Sequence, residues 1–218
     1  MNTNGKQRAS FRAIQVLAST LLLAACSGLS APNVTSPNIY VLESGSAIQA
    51  LQVKRDLVLA VSVPRTLPGF DTPQIVYVKQ PHELNYFVSS RWADTPARML
   101  EPLIAQAMVQ TESFRAVVQA SGTIPVDVRL DTEIVRLQHD FKTRPSRVQF
   151  TLRAQLIDVR GKRLLAAQQF DEVETAASDD AYGGVTAANR LLQRVLGKLA
   201  EFSVNASAND MQSGANRP

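Results

Sequence analysis

The stretch RVQFTLRAQLID, residues 147–158, decides the fold because apolar and polar residues alternate along it. This period of two is typical of a β-strand with one buried face. Arg160-Gly161 then offers a tight turn, and residues 163–175 return as a partner strand. The pattern predicts an antiparallel hairpin. Its apolar positions are Val148, Phe150, Leu152, Ala154 and Leu156.

The preceding segment predicts a long strand that carries an irregularity. Apolar character alternates from Val126 to Ile134 and then slips by one position, continuing at Val135, Leu137, His139 and Phe141. A slip of one residue moves side chains to the other face of a sheet. Because no turn residue lies at the slip, the pattern predicts a β-bulge or a sharp bend.

Five further segments have the composition of strands, and two have the spacing of helices. A first helix is predicted to begin near Asp94-Thr95-Pro96, where a capping side chain precedes proline. Pro102 either kinks this helix or marks its true first turn. A second helix is predicted over residues 180–202, with one apolar stripe. The strand segments are residues 39–42, 56–63, 74–78, 84–89 and 114–119.

This order of elements predicts an α+β fold, with an antiparallel β-sheet and two main helices packed on one face. Residues 39–202 are expected to form the domain. Residues 203–218 have almost no large apolar side chain, so we expect them to be disordered.

The first 25 residues read as an export signal. Lys6, Arg8 and Arg12 precede an apolar run at residues 13–23, and small residues follow. The run is too short to cross a bilayer, which takes about 20 residues in a helix. The tetrapeptide at residues 23–26, Leu-Ala-Ala-Cys, resembles the lipobox of bacterial lipoproteins. A signal peptide over residues 1–25 is therefore predicted.

Cys26 is the predicted site of lipid attachment. It is the only cysteine of the chain and cannot form an internal disulfide. The resemblance implies acylation with chains such as palmitate, and two or more chains anchor a protein stably. The alternative is a buried thiol after an ordinary signal peptide. Residues 26–38 would form the lipidated tether, and Ser27, which is not aspartate, favours the outer membrane by the same resemblance.

Composition excludes some classes of function. The 218 residues carry a formal charge of +4, but without Lys6, Arg8 and Arg12 the 23 basic residues fall to 20 against 19 acidic ones, a charge of +1. A nearly neutral domain with no basic stripe gives no reason to expect nucleic acid as a partner. A chain of this length also needs no disulfide or metal for stability.

The sequence offers no combination of residues typical of an active site or metal site. It has no glycine-rich phosphate loop, GxSxG motif or HExxH motif. His82 reads as a surface residue and His139 as a structural one in a strand, so no metal or cofactor is expected. Asp179-Asp180 is interpreted as a helix cap. Tyr182-Gly183-Gly184 is interpreted as a turn. We therefore expect a protein that is not an enzyme.

Three residues are candidates for contact with a partner. Arg91 and Trp92 stand just before the first helix, and both residue types are common in binding hot spots. The alternative for Trp92 is packing beneath the helix start. Phe70 lies in the proline-rich loop of residues 64–73 and is expected at its tip, where a rigid aromatic side chain would lose little entropy on binding.

A family resemblance rests on the order and spacing of five short motifs. The chain resembles the ABC-type transport auxiliary lipoproteins, the family of paraquat-inducible protein C, over about residues 39–202. After Arg-Trp-Ala it has Asp-Thr-Pro where the family pattern leads us to expect Glu-Pro-Leu. Besides the lipobox, the motifs are Tyr40-Val41-Leu42, Val61-Ser62-Val63-Pro64, Leu67-Pro68, Thr72-Pro73-Gln74-Ile75-Val76 and Arg91-Trp92-Ala93-Asp94.

The resemblance implies a non-enzymatic periplasmic subunit on the inner face of the outer membrane. It would serve an MCE-type lipid transport system by docking the outer end of an MCE-domain conduit, and such subunits can assemble into homo-oligomeric rings. Two alternatives stay open. One is a structural or assembly lipoprotein of the envelope without a role in lipid traffic. The other is a lipid-modifying enzyme, against which the missing nucleophile–base motif argues.

Overall fold

The structure is a computed structural model that describes residues 36–45, 48–51, 53–120 and 124–215, with side chains described as far as residue 208. The chain divides into two units, Met1–Ser36 and Pro37–Pro218. Apart from Ser36, every described residue belongs to the second unit, and the fold is the fold of that unit.

The described residues form nine strands and two helices. The strands are β1 Asn38–Tyr40, β2 Arg55–Val61, β3 Arg65–Thr66, β4 Gln74–Val78, β5 Asn85–Trp92, β6 Phe114–Gln119, β7 Val128–Asp140, β8 Arg147–Asp158 and β9 Arg163–Thr175. The helices are α1 Pro96–Gln110, between β5 and β6, and α2 Ala181–Ala215, after β9.

The long strand β7 organises the sheet. It pairs antiparallel with β8 along its whole length, and β8 pairs antiparallel with β9, which confirms the hairpin predicted from residues 147–175. The β7–β8 register shifts between Ile134 and Arg136, as the slip in the apolar pattern predicted. Beyond this bulge Leu137 and His139 are buried, so the bulge returns the apolar positions to the core face.

The other edge of β7 carries three short strands in chain order, all parallel to it. Leu59 of β2 pairs with Val128, Arg65 of β3 pairs with Glu133, and Tyr77 of β4 pairs with His139. Two further parallel pairings join β2 to β6 and β1 to β5, whereas β4 and β5 are antiparallel. The α+β class is confirmed, but the sheet is mixed where an antiparallel sheet was predicted. The loops between β2, β3 and β4 do not reverse the direction of the chain, so all three strands pair with β7 in the same orientation.

Both helices contribute to one apolar core with the inward side chains of β2, β7 and β8. In α1, Leu100 and Ile104 are fully buried, and the helix begins at Pro96 as predicted, with Pro102 inside it on an exposed position. In α2, Leu192 and Leu199 lie in the same core. Burial of apolar side chains of this kind supplies most of the stability of a domain.

Ion pairs join the polar side of α2 to β9. Glu174 accepts from Arg190 at 2.8 Å and pairs with Arg194 at 2.8 Å. Glu172 pairs with Lys198 and Arg194. The cations are partly exposed, so each pair contributes little alone, but together they set the position of the helix on the last strand.

The helix α2 is longer than predicted. It runs to Ala215 and not to Phe202, so the prediction of a disordered segment from residue 203 is wrong as far as residue 215. The buried Ser203 and Ser207 donate hydrogen bonds to the carbonyl oxygens of Leu199 and Val204, both at 2.8 Å. A hydroxyl that bonds to a carbonyl of its own helix is satisfied, so these small polar side chains can be buried. Within the described residues no helix combines the length and apolar character needed to cross a bilayer.

Candidate functional site

An open groove of about 580 Å³ lies at the end of the sheet where β4 and β7 finish and β5 begins. Tyr77 pairs with Asn85 on one side and with His139 on the other, so three strands bring their side chains together here. The loop after β7 and the segment before α2 complete the walls. The lining residues are Tyr77, Lys79, Tyr86, Phe87, Val88, Phe141, Thr143, Arg144 and Asp179.

The floor of the groove is aromatic and closely packed. The ring centroids of Tyr77 and Phe87 lie 4.7 Å apart, and those of His139 and Phe141 lie 4.1 Å apart. Tyr77 also meets Phe141 edge-on at 5.8 Å. Aromatic pairs at these distances stabilise each other beyond simple burial. The floor is therefore a preformed surface that needs no rearrangement to receive an apolar group.

The rim of the groove carries two cations and one carboxylate. The Lys79 ammonium lies over the Tyr77 ring, 5.4 Å from its centroid, in a cation–π arrangement. Arg144 also lines the groove, and its charge acts on Asp179. Hydrogen bonds from Ser146, and more weakly the charge of Arg144, hold the pKa of Asp179 below its ordinary value. The rim thus has a small positive excess.

Val88 projects from a wide bulge at the edge of the groove. Gln74 pairs with Arg91 and Val76 with Tyr86, so β4 advances by two positions while β5 advances by five. Between these two pairs β4 has one residue and β5 has four, residues 87–90, which bulge away from β4 and leave Val88 95% exposed. Bulges often redirect a side chain beside a functional site. The sequence predicted the strand but not the bulge, because Ser89-Ser90 carries no turn signal.

A buried histidine–serine pair lies below the groove. His139 Nε2 and Ser146 Oγ are 2.8 Å apart, and both side chains are buried. His139 Nδ1 has no hydrogen-bond partner among the described residues, and Asp179 accepts from the Ser146 backbone N–H at 3.2 Å. In a serine nucleophile the carboxylate must orient the histidine through Nδ1. This pair lacks that contact, and its hydrogen bond joins the end of β7 to the residue that precedes β8.

The surroundings of His139 favour its neutral form. Burial lowers the pKa of His139, against the opposing charges of Asp179, Asp180 and Asp140. Gly184 of α2 allows the close approach that buries the ring, since a Cβ there would lie 2.5 Å from Nδ1. The interpretation of Gly183-Gly184 as a turn is corrected, because both residues lie inside α2. The capping role predicted for Asp180 is seen in its bond from the Gly183 N–H at 2.8 Å.

The predicted partner-binding residues fall into different environments. Trp92 ends β5, is 3% exposed and belongs to the core, in agreement with the packing alternative. Arg91 is exposed and lies in register between Ile39 and Gln74. Phe70 is 8% exposed, so the expectation that its ring stands out at the loop tip is wrong. Binding roles for all three residues stay predictions.

The inward turn of Phe70 has a local cause. Gly69 adopts a φ of 91°, a left-handed conformation that suits glycine. Its carbonyl accepts a hydrogen bond from the Tyr86 hydroxyl at 3.3 Å, and the Phe70 N–H donates to the Leu67 carbonyl at 3.1 Å. The loop is therefore folded onto β5 and turns the Phe70 ring inwards.

Cys26, with the signal peptide and nearly all of the tether, lies outside the described residues. His82 is exposed in a turn, as predicted. In the described part of the chain, no three histidine, cysteine or carboxylate side chains are grouped so that they could hold a metal ion.

Comparison with known proteins gives one family and several similar structures. Residues 40–200 match the family model described as ABC-type transport auxiliary lipoprotein component. A crystal structure of a Xanthomonas campestris protein, assigned to the family model DUF330, is 21% identical, with a TM-score of 0.73, over 80% of this chain and 99% of that one. An uncharacterised protein is 13% identical with a TM-score of 0.60, over 77% of this chain and 98% of that one. At these identities the likeness shows the fold alone. None of the curated proteins matches the sequence.

Proposed function

Because this chain belongs to the family of ABC-type transport auxiliary lipoprotein components, we propose that it serves an MCE-type lipid transport system. In this proposal it is a non-enzymatic periplasmic subunit, anchored by lipid at Cys26 to the outer membrane. There it docks the outer end of an MCE-domain conduit.

The observation that carries the proposal is the extent of the family match. Residues 40–200 run from the end of β1 to the middle of α2, so the match covers the folded domain and not one local motif. An auxiliary component acts through the proteins it contacts. The buried Ser146–His139 pair, with its carboxylate on the serine side, supports a role in binding over one in catalysis.

The anchor is tested first, with Cys26→Ser. We expect the wild-type protein to fractionate with the outer membrane and its mature N-terminus to carry acyl chains by mass spectrometry. The variant should stay unprocessed or appear as a soluble periplasmic form, because it lacks the thiol that is acylated. An unmodified thiol on the wild-type protein would refute the anchor.

The conduit partner is tested by photo-crosslinking in cells from exposed positions. Phe70 and Trp92 are buried, so the probe is placed at an exposed neighbour of each. Asp71, next to Phe70, and Arg91, next to Trp92, are exposed and carry the probe in their place. Val109 on α1 is 57% exposed and serves as the control position.

We expect probes at Asp71 or Arg91 to capture an MCE-domain protein and the probe at Val109 to capture none. Capture of unrelated envelope proteins only would favour the alternative of a structural or assembly lipoprotein. Release of fatty acid or headgroup from phospholipid by the purified protein would instead favour a lipid-modifying enzyme. A homo-oligomeric ring, which is part of the proposal, predicts a discrete native mass several times that of one chain in detergent.

A further inference from the structure

We propose that the groove and Val88 form a membrane-docking surface, with Val88 inserted between the headgroups of the bilayer that carries the anchor. The inference rests on the lipid anchor in the proposed function. It goes beyond that function because it assigns an orientation to the folded domain and a second contact with lipid.

The path of the chain places this surface near the membrane. Asn38 pairs with Ser90 in a parallel register, so the chain that leads into β1 reaches the sheet from the side of Val88. Asn38 lies twelve positions after Cys26 in the chain. A segment of this length spans at most roughly 40 Å. The groove is therefore at the end of the domain that the tether holds closest to the bilayer.

The exposed Val88 side chain presents an apolar group to whatever meets this end of the sheet. At 95% it is the most exposed large apolar side chain in the described ranges. The bulge at residues 87–90 directs it outwards, and a polar residue would serve the fold equally well there. A lipid surface deforms around a single protruding apolar side chain. A rigid protein surface does not, so the lipid surface is the better match.

The residues around Val88 have the chemistry of a membrane interface. Tyr77 has an apolar ring with a hydroxyl, the combination that is enriched at the level of lipid headgroups. Lys79 and Arg144 are exposed on the rim, where their charges can meet lipid phosphates. The one carboxylate of the rim, Asp179, is already engaged by the Ser146 N–H and near Arg144. The surface therefore complements an anionic bilayer.

The test uses the purified lipidated protein, reconstituted into vesicles of phosphatidylethanolamine and phosphatidylglycerol. Cys26 is the only cysteine, so after its acylation Val88→Cys supplies the one free thiol for an environment-sensitive dye. Leu164→Cys is the matched control, because Leu164 is 56% exposed and lies near Asp158, at the opposite end of β8 from Arg147 and the groove. Vesicle flotation reports the anchor independently of the dye.

We expect the dye at position 88 to shift to shorter emission wavelengths in vesicles and to lose intensity with brominated lipids. The dye at position 164 should show neither change. The double variant Lys79→Glu, Arg144→Glu should reduce the shift at position 88, as should vesicles of phosphatidylcholine alone, because both remove the charge attraction.

Four outcomes would overturn the inference. Protein that floats with the vesicles while position 88 stays as solvated as position 164 would leave the anchor intact and refute docking. Equal shifts at both positions would refute a fixed orientation. Protein that fails to float would refute the anchor and docking together. A protein captured from Val88 in cells, with no shift in vesicles, would assign the surface to that protein instead.

Discussion

The ladder of β7, β8 and β9 differs from the corner of β1, β4 and β5 in how completely its strands pair. In the ladder, pairing runs the full length of each strand, and the inward side chains lie beneath α2. In the corner, β1 has three residues and the pairing of β4 with β5 is broken by the bulge at residues 87–90. Continuous pairing buries apolar side chains and supplies stability, whereas interrupted pairing leaves Val88 free to contact something else.

The largest expected effect compares two apolar residues of the same strand in that corner. Trp92→Ala should lower the free energy of unfolding by about 3–5 kcal/mol, because it removes a large aromatic side chain from the core. Val88→Ser should change it by less than about 0.5 kcal/mol, since the side chain is in solvent. Urea unfolding measures both. Similar losses for the two variants would contradict the division between buried and projecting residues in β5.

A smaller effect is expected at two glycines of α2. Gly184 packs against His139, and Gly197 has open space where a side chain would lie. Gly184→Ala should destabilise the protein by about 1–3 kcal/mol, because the new Cβ would press on the His139 ring. Gly197→Ala should stabilise it by about 0.5–1 kcal/mol, since no atom lies within 4 Å and alanine favours helix. Thermal melts distinguish the two. Stabilisation by both variants would mean that α2 does not approach β7 closely at Gly184.

The smallest expected effect is a dependence of stability on pH. It arises at His139, where β7 meets the corner, and not at the ion pairs of the ladder. The pKa of His139 is lowered in the folded state by burial, so as pH falls the unfolded chain takes up a proton first. Stability should therefore be complete above the ordinary pKa of about 6.5 and be lost below it, with a slope of at most about 1.4 kcal/mol per pH unit for one proton.

His139→Gln should flatten this dependence between about pH 7.5 and pH 5.5. The carboxylates of the α2–β9 ion pairs do not interfere, because the pKa values of Glu172 and Glu174 are lowered and these groups titrate at more acidic pH. Urea unfolding at several pH values measures the slopes. An unchanged slope in the variant would show that another group is responsible.

The alternation of apolar residues predicted those elements of the fold that form between segments close together in the sequence. The hairpin at residues 147–175 follows from alternation, and the bulge at Ile134 follows from the one-residue slip, because both are set by which face of one strand is buried. The parallel pairings of β2, β3 and β4 could not be predicted, since nothing in the periodicity of residues 55–78 specifies a partner beyond residue 127.

The candidate site was harder to predict for a related reason. Residue type alone gave Trp92 two opposite roles, and only its position at the end of β5 decides that it packs in the core. Phe70 was expected to be exposed because its loop is rich in proline, yet the Tyr86–Gly69 hydrogen bond folds that loop inwards. Val88 was missed because its exposure depends on the register between two strands, which single-strand patterns do not contain.

The succession of β2, β3 and β4 along β7 has a consequence for how the chain folds. Each pairing joins residues separated by a similar length of chain: Leu59 with Val128, Arg65 with Glu133 and Tyr77 with His139. The loop entropy of the first closure is large, but each later pairing then closes only a short additional loop. The three strands should therefore assemble on β7 in one kinetic step. Pulsed hydrogen exchange during refolding should show their amides gaining protection together, only once the chain as far as residue 140 takes part.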